Sequence, residues 1–291
     1  MSSKAKEKAG STEPASITAP DKTIITATTA NSWMHPNVKN WAQTTDELVK
    51  SAIACYEAGA AILHVHLPKG EEAVVVDRVR DKAPDAIIQC GMSSFHIEKR
   101  DAHFASGSDM LSIILNHHDE AFPTPVRVLH ELEELEQYCA KCKKAGIRPE
   151  WEVWHTGSFW NLNQLLNKNL LDWCKPHVLT FFFNWPGGTW SPPTVDEYLH
   201  RLKYMPPDCV HTVSIMGSCA EQVRIVAAAL NSGGNIRVGT EDNPFISEGK
   251  PAIDNAEIIA KFARLSRDMG REVADASEAR KMLNIPRPAK R

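Results

Sequence analysis

The chain has 291 residues, with 33 Lys+Arg against 36 Asp+Glu and a formal net charge of −3, enough to bury a sizeable core as one large domain or two small ones. Hydrophobic residues make up 43% and charged residues 24%, and this near-neutral balance without a basic stripe argues against a dedicated nucleic-acid binder. No apolar run approaches the roughly 20 residues that a membrane-spanning helix needs. Residues 1–21 are polar and lack the apolar stretch of a secretory signal, so they read as a disordered leader ahead of a folded domain over 22–291. Seven cysteines with no framework spacing suggest reduced thiols and a cytoplasmic protein.

Beyond the leader, short β-branched or aromatic runs alternate with segments of helical period. The strands are expected at 23–28, 60–66, 85–90, 109–115, 149–155, 177–183, 210–215 and 235–239. Helical patterns lie between them. The first opens on a capping box placed at Thr45 and the neighbours of Leu48, with acids in its first turn. The segments ending at Gly146 and Gly233–Gly234 close as helices do. Cys139 and Cys142 form a CxxC within a helical stretch, without the helix N-terminus of a redox motif or further zinc ligands at suitable spacing, and read as incidental. A helix over 254–270 and a short one at Ser277–Met282 follow the last strand. Eight strands, each followed by a helix, fit a single (β/α)8 TIM barrel. A doubly wound sheet competes, but no GxGxxG follows the first strand.

Barrel chemistry sits at the C-terminal ends of the strands, which directs attention to the polar residues there. His64 and His66 end the second strand as HVH, on one face by alternation, and can chelate one metal through neutral ring nitrogens. The competing reading is a core histidine satisfied by a hydrogen bond. The eighth strand runs NIRVGTEDN. If its extended geometry continues, Arg237, Gly239 and Glu241 share a face, and Glu241 completes a His2Glu set with an open position. Asp242 is then a candidate base, with Arg237 near both carboxylates or a substrate carboxylate. A polar loop with a surface Arg–Glu pair is the bland alternative. Glu150 and Glu152, two apart on the fifth strand, are either a support for a metal-bound histidine or part of a structural salt bridge. Trp33 and Trp154, with Trp151, Phe159, Trp160, Trp185 and Trp190, lie near strand ends, where aromatics either wall a pocket or pack barrel against helix.

The stretch TTDELVKSAIACYEAGAAILHVH, the PEWEV strand, and GGNIRVGTEDNPF with the later GREVADASEARKML resemble the β-keto acid cleavage enzymes (BKACE) over roughly residues 22–286. The resemblance implies a Zn2+-dependent barrel, one ion per chain, that takes a β-keto acid and acetyl-CoA to acetoacetate and a new acyl-CoA. In that picture an acetyl-CoA carbanion equivalent attacks the ketone before retro-Claisen cleavage. It implies His64, His66 and Glu241 as zinc ligands, Asp242 as acid/base, Arg237 as its positioner, and a homotetramer. Ser32, Trp33, Ser93, Glu150, Glu152 and Trp154 are the substrate-facing candidates. Several loops depart from the family pattern. Leu67–Pro68–Lys69 replace Arg-Asp after HxH, Cys90–Gly91–Met92–Ser93 replace Ser-Thr-Gly-Gly, and Gly217–Ser218–Cys219–Ala220 replace Gly-Arg-His-Gln. Ser32 stands where an aminohexanoate-cleaving member has an acid, and His155 replaces an Asp. Two other functions stay open: a zinc-dependent lyase or hydrolase of a keto acid without CoA, and a non-catalytic binding barrel.

Overall fold

A computed structural model describes residues 22–115, 117–120 and 126–287; the polar leader and the last four residues lie outside them. Eight parallel strands close into one barrel in sequential order: β1 (Ile25–Thr28), β2 (Ile62–Val65), β3 (Ile87–Cys90), β4 (Met110–Ile114), β5 (Arg148–Val153), β6 (His177–Phe183), β7 (Cys209–Ile215) and β8 (Asn235–Gly239). The seam closes between β8 and β1, with Ile236 opposite Ile25 and Gly239 opposite Thr28. β-branched residues on both faces of these strands are buried, as a parallel sheet covered on both sides requires.

The covering helices are α1 (Thr45–Glu57), α2 (Glu72–Lys82), α3 (Asp101–Ala105), α4 (Leu132–Ala145), α5 (Ser158–Asn167), α6 (Val195–Leu202), α7 (Cys219–Asn231) and α8 (Asn255–Asp268), with α9 (Ala276–Met282) at the end. The capping box of α1 is made by Thr44 and Glu47, one residue earlier than the sequence suggested, because Thr44 keeps the extended backbone that lets its hydroxyl reach the Glu47 N–H. Gly146 ends α4 in the left-handed conformation. Cys139 and Cys142 face the core from α4 as free thiols, and burial pushes the Cys139 thiol up to about 12, which leaves it inert.

The first expected strand divides in two. Lys22–Thr23 pairs with Glu272–Val273 below the barrel, and the barrel strand proper begins at Ile25. The helix α9 plugs this lower end, placing Ala276, Ala279 and Leu283 against Ile24, Ile62, Ile87 and Met110. Arg280 locks it there through Asp109 (3.0 Å) and the carbonyl of Ala86 (2.7 Å). Two hairpins were not evident from the sequence. One is His117–Glu120 with Val126–Leu129, after β4, and the other is Phe245–Ser247 with Lys250–Pro251, after β8. Both insert at C-terminal ends of strands and so add chain at the upper mouth.

Two buried arginines fix that upper rim. Arg100 donates to the carbonyls of Gly91 (2.7 Å) and Ser112 (2.6 Å), and Arg201 to those of Val153, Phe182 and Trp154. Each satisfies carbonyls that the strands leave unpaired where they end.

Candidate active site

His64 and Glu241 are buried at the upper mouth and His66 is half-buried beside them. His64 Nε2 lies 3.4 Å from Glu241 Oε2, and His66 Nε2 lies 3.4 Å from Glu241 Oε1. Ligands about 2.1 Å from one tetrahedral ion are separated by about 3.4 Å, so the donors already stand at chelating distance. The alternation argument for β2 holds: Leu63 and Val65 face the helices while both imidazoles face the mouth.

The expectation for β8 needs correction. The strand ends at Gly239, where the backbone turns and the Asn243 N–H bonds back to the Gly239 carbonyl (2.9 Å). Glu241 therefore enters the site from a turn rather than by strand alternation. That is why two consecutive acids, Glu241 and Asp242, both reach Arg237: its Nη2 is 3.1 Å from Glu241 Oε2 and 3.1 Å from Asp242 Oδ1. Gly239 has φ +152°, and a Cβ there would stand 2.2 Å from the Thr28 carbonyl, so this turn demands glycine.

The electrostatics follow from burial and from Arg237. Burial, reinforced by the guanidinium, drives His64 down to about 3, which keeps its imidazole neutral and able to ligate. Burial favours a neutral Glu241, yet Arg237 holds its carboxyl far below the usual range, in the anionic form a metal needs. Burial pushes Asp242 up to about 6 against the pull of Arg237. Its Oδ2 also accepts from the Ser214 hydroxyl at 3.0 Å.

A divalent cation fits these residues on three observations. The donor set is two imidazoles and a carboxylate. Glu241 Oε2 is buried without a well-aligned hydrogen bond although Arg237 is close. The third is an open cradle at Gly91: a Cβ there would come within 2.7 Å of His66 Nε2 and 2.8 Å of His64 Nε2. The space directly before both nitrogens is thus kept clear by the absence of a side chain.

Gln89 was not anticipated. It lies opposite His64 in the β2–β3 register, and its Oε1 is 2.8 Å from His64 Nδ1. The Gln89 amide N–H2 donates to Glu150 Oε2 (3.2 Å), so the amide oxygen is the end turned to His64 and accepts from Nδ1–H. That tautomer leaves the Nε2 lone pair for the metal. Glu150 thus stands one residue further from the histidine than the sequence reading placed it. Burial and the neighbouring Glu152 raise its carboxyl to about 8.

The cavity over the donors has an empty volume of about 470 Å³. Trp33, Ser93, Glu152 and Trp154 line it as expected, together with Phe182 and Trp185, which the sequence placed less firmly or not at all. Trp154 stacks on Phe182 at 4.5 Å and donates its indole N–H to Glu152 Oε2 at 3.1 Å. Arg237 lies 5.0 Å from the Phe182 ring, a cation–π contact that holds it between aromatic and carboxylates. Ser32 is not in the wall: it is fully buried, and its hydroxyl accepts from the His35 N–H at 3.2 Å. Trp151 and Phe159 belong to the barrel–helix core, while Trp160 and Trp190 are exposed.

The sequence profile of the beta-keto acid cleavage enzymes (BKACE) matches residues 22–285. The chain belongs to this family. A 3-keto-5-aminohexanoate cleavage enzyme from Acetoanaerobium sticklandii is 30% identical over 285 residues, covering 91% of this chain and 99% of that one. A 3-oxoadipate:acetyl-CoA acetyltransferase from Cupriavidus necator is 28% identical, covering 84% and 87% respectively. Among solved structures, the ternary complex of ObcA with C4-CoA adduct and oxalate superposes with a TM-score of 0.70 at 16% identity, covering 86% of this chain and 68% of that one, a likeness of fold. Within this BKACE barrel, residues with metal-binding and proton-handling chemistry collect at the mouth where the fold places active sites.

Proposed function

We propose that this chain is a zinc-dependent, acetyl-CoA-using β-keto acid cleavage enzyme whose substrate carries an apolar acyl group. The observation that carries the reading is the His64–His66–Glu241 set, at chelating distance beneath an aromatic cavity, with the Arg237–Asp242 pair beside it. Names of relatives such as the C. necator acetyltransferase support acetyl-CoA as co-substrate.

The net reaction is R–CO–CH2–COO⁻ + CH3–CO–S–CoA → CH3–CO–CH2–COO⁻ + R–CO–S–CoA. The keto acid C2–C3 bond breaks, C2 bonds to the acetyl carbonyl carbon, and the thiolate moves to the R–CO group. This balance corrects the order suggested by sequence. The carbanion must form at C2 of the keto acid, because attack by an acetyl-CoA carbanion would leave the thioester on the wrong carbon. His64, His66 and Glu241 would hold the zinc ion, which would supply Lewis-acid polarisation of a substrate carbonyl. Asp242 Oδ takes the C2 proton, and its elevated affinity for that proton suits a base working near neutral pH. Arg237 fixes the Asp242 carboxylate through Nε and Nη2 and presents positive charge to the cavity. Trp33, Trp154, Phe182, Trp185 and Met92 shed water around the acyl group. Ser32, turned away toward His35, offers no charge to a substrate amine.

One observation favours a second assignment of the base. Glu152 lines the cavity, whereas Asp242 is buried behind Arg237. In that version Glu152 takes the proton and Asp242 braces the arginine. Asp242→Asn and Glu152→Gln separate the two, since only loss of the true base abolishes turnover by several orders of magnitude while zinc stays bound.

The deciding assay incubates zinc-loaded protein with straight-chain β-keto acids of increasing length, with and without acetyl-CoA, and measures acetoacetate and acyl-CoA. Acyl-CoA formed only with acetyl-CoA, best with apolar chains, is the expected result. Cleavage that ignores acetyl-CoA would instead establish a CoA-independent lyase or hydrolase.

A further inference from the structure

A second cluster of metal-ligating side chains stands beside the mouth, on different elements. His96 lies just after the β3 loop, His130 just before α4, and Glu134 in the first turn of α4. One nitrogen from each imidazole and a carboxylate oxygen lie within 4.8 Å of one another. His96 Nδ1 is 2.9 Å from Glu134 Oε2, and His130 Nδ1 is 3.3 Å from Glu134 Oε1.

The His130 ring is what makes this more than a salt bridge. Its side chain is fully buried. Its Nε2 is 3.1 Å from the carbonyl of Ser93, an acceptor, so the ring proton sits on Nε2. Nδ1 then carries a lone pair, is buried, and makes no hydrogen bond, yet it points at a carboxylate oxygen. A lone pair facing a carboxylate oxygen at 3.3 Å calls for a cation or a proton between them, and 3.3 Å is the spacing of two ligands on one tetrahedral ion. The Ile97 N–H donates to Glu134 Oε1 at 2.7 Å and fixes the carboxylate between the two imidazoles.

We propose that His96, His130 and Glu134 form a second divalent-metal site of the zinc class, separate from His64, His66 and Glu241. A cation here clips the loop after β3 to the start of α4. That loop carries Met92, Ser93 and Ser94, all on the cavity wall. Because His130 Nε2 donates to Ser93, the clip also braces the wall where acyl group or thioester would lie.

The test is a zinc titration of metal-free protein against a chromogenic chelator, counting sub-micromolar equivalents for the wild type, His64→Ala, His96→Ala and the double variant. His96 is partly exposed, so its loss spares the core. Glu134→Gln serves as a second variant, and circular dichroism melts verify folding. The expected counts are two for wild type, one for each single variant and none for the double. A wild type whose count is unchanged by His96→Ala and by Glu134→Gln overturns the second site. If His64→Ala changes nothing while His96→Ala removes one equivalent, the second site stands and the proposed active site falls.

Discussion

Alanine at position 91 tests whether the metal cradle is kept open by a missing side chain. Gly91 has no positive φ, so alanine fits its backbone and gains about 0.4–1 kcal/mol through the unfolded state. The added methyl would stand 2.2 Å from His66 Cδ2, and overpacking of that kind costs about 1–3 kcal/mol. His66 is the one ligand with room to yield, its side chain being 20% exposed. The collision is therefore relieved by turning the imidazole off the site. The net loss of stability is at most about 3 kcal/mol, or a Tm lowered by about 6 °C or less at roughly 2 °C per kcal/mol. Zinc affinity falls far more. Loss of a supporting contact alone costs about 10–100-fold, and displacement of a ligand should exceed about 100-fold. Thermal melts of the metal-free protein and chelator competition, run beside His64→Ala, read the two effects separately. Wild-type zinc affinity at the His64-dependent site in folded Gly91→Ala would refute the reasoning.

Further outcomes follow from the same geometry. Gln89→Leu removes the acceptor that holds the His64 tautomer and should weaken zinc about 10–100-fold with little change in fold, measured by the same competition. Glu150 holds a proton in the folded state up to about pH 8 that the unfolded chain releases near pH 4.5, so its contribution to stability is present below pH 4.5 and is lost as pH rises toward 8. Relative to Glu150→Gln, the metal-free wild type should lose stability across that window at a slope approaching about 1.4 kcal/mol per pH unit in denaturant titrations, and parallel curves would contradict this. Trp154→Ala deletes the ring stacked on Phe182 and should cost about 3–5 kcal/mol while raising KM for apolar keto acids, as seen in melts and initial rates.

The barrel was legible because its signal is local and repeated. Each buried strand is a short apolar run, and the helices between carry their own caps and periods. Boundaries moved where a tertiary partner decides them: Lys22–Thr23 leaves the first strand to pair with Glu272–Val273, far away in sequence. His64, His66 and Glu241 were readable from residue type and strand-end position. The route by which Glu241 arrives was not, since the turn after Gly239 depends on contact with Thr28. Gln89 and Gly91 were invisible for a similar reason. A glutamine and a glycine carry no chemical signature until the β2–β3 register sets one against His64 and the other against both imidazoles. Ser32 lies outside the cavity wall, buried where its Oγ accepts from the His35 N–H, a placement that depends on a local turn and not on residue type.

The central claim is the exchange of acyl groups between a β-keto acid and acetyl-CoA, and it can be tested without knowing the natural acyl group. Acetoacetate is itself a β-keto acid with R = methyl, so zinc-loaded enzyme should carry ¹³C from the labelled acetyl group of acetyl-CoA into C3 and C4 of unlabelled acetoacetate. NMR should show this label transfer in the wild type and its loss in His64→Ala. Acetoacetate that stays unlabelled beside zinc-loaded, folded wild type would contradict the account.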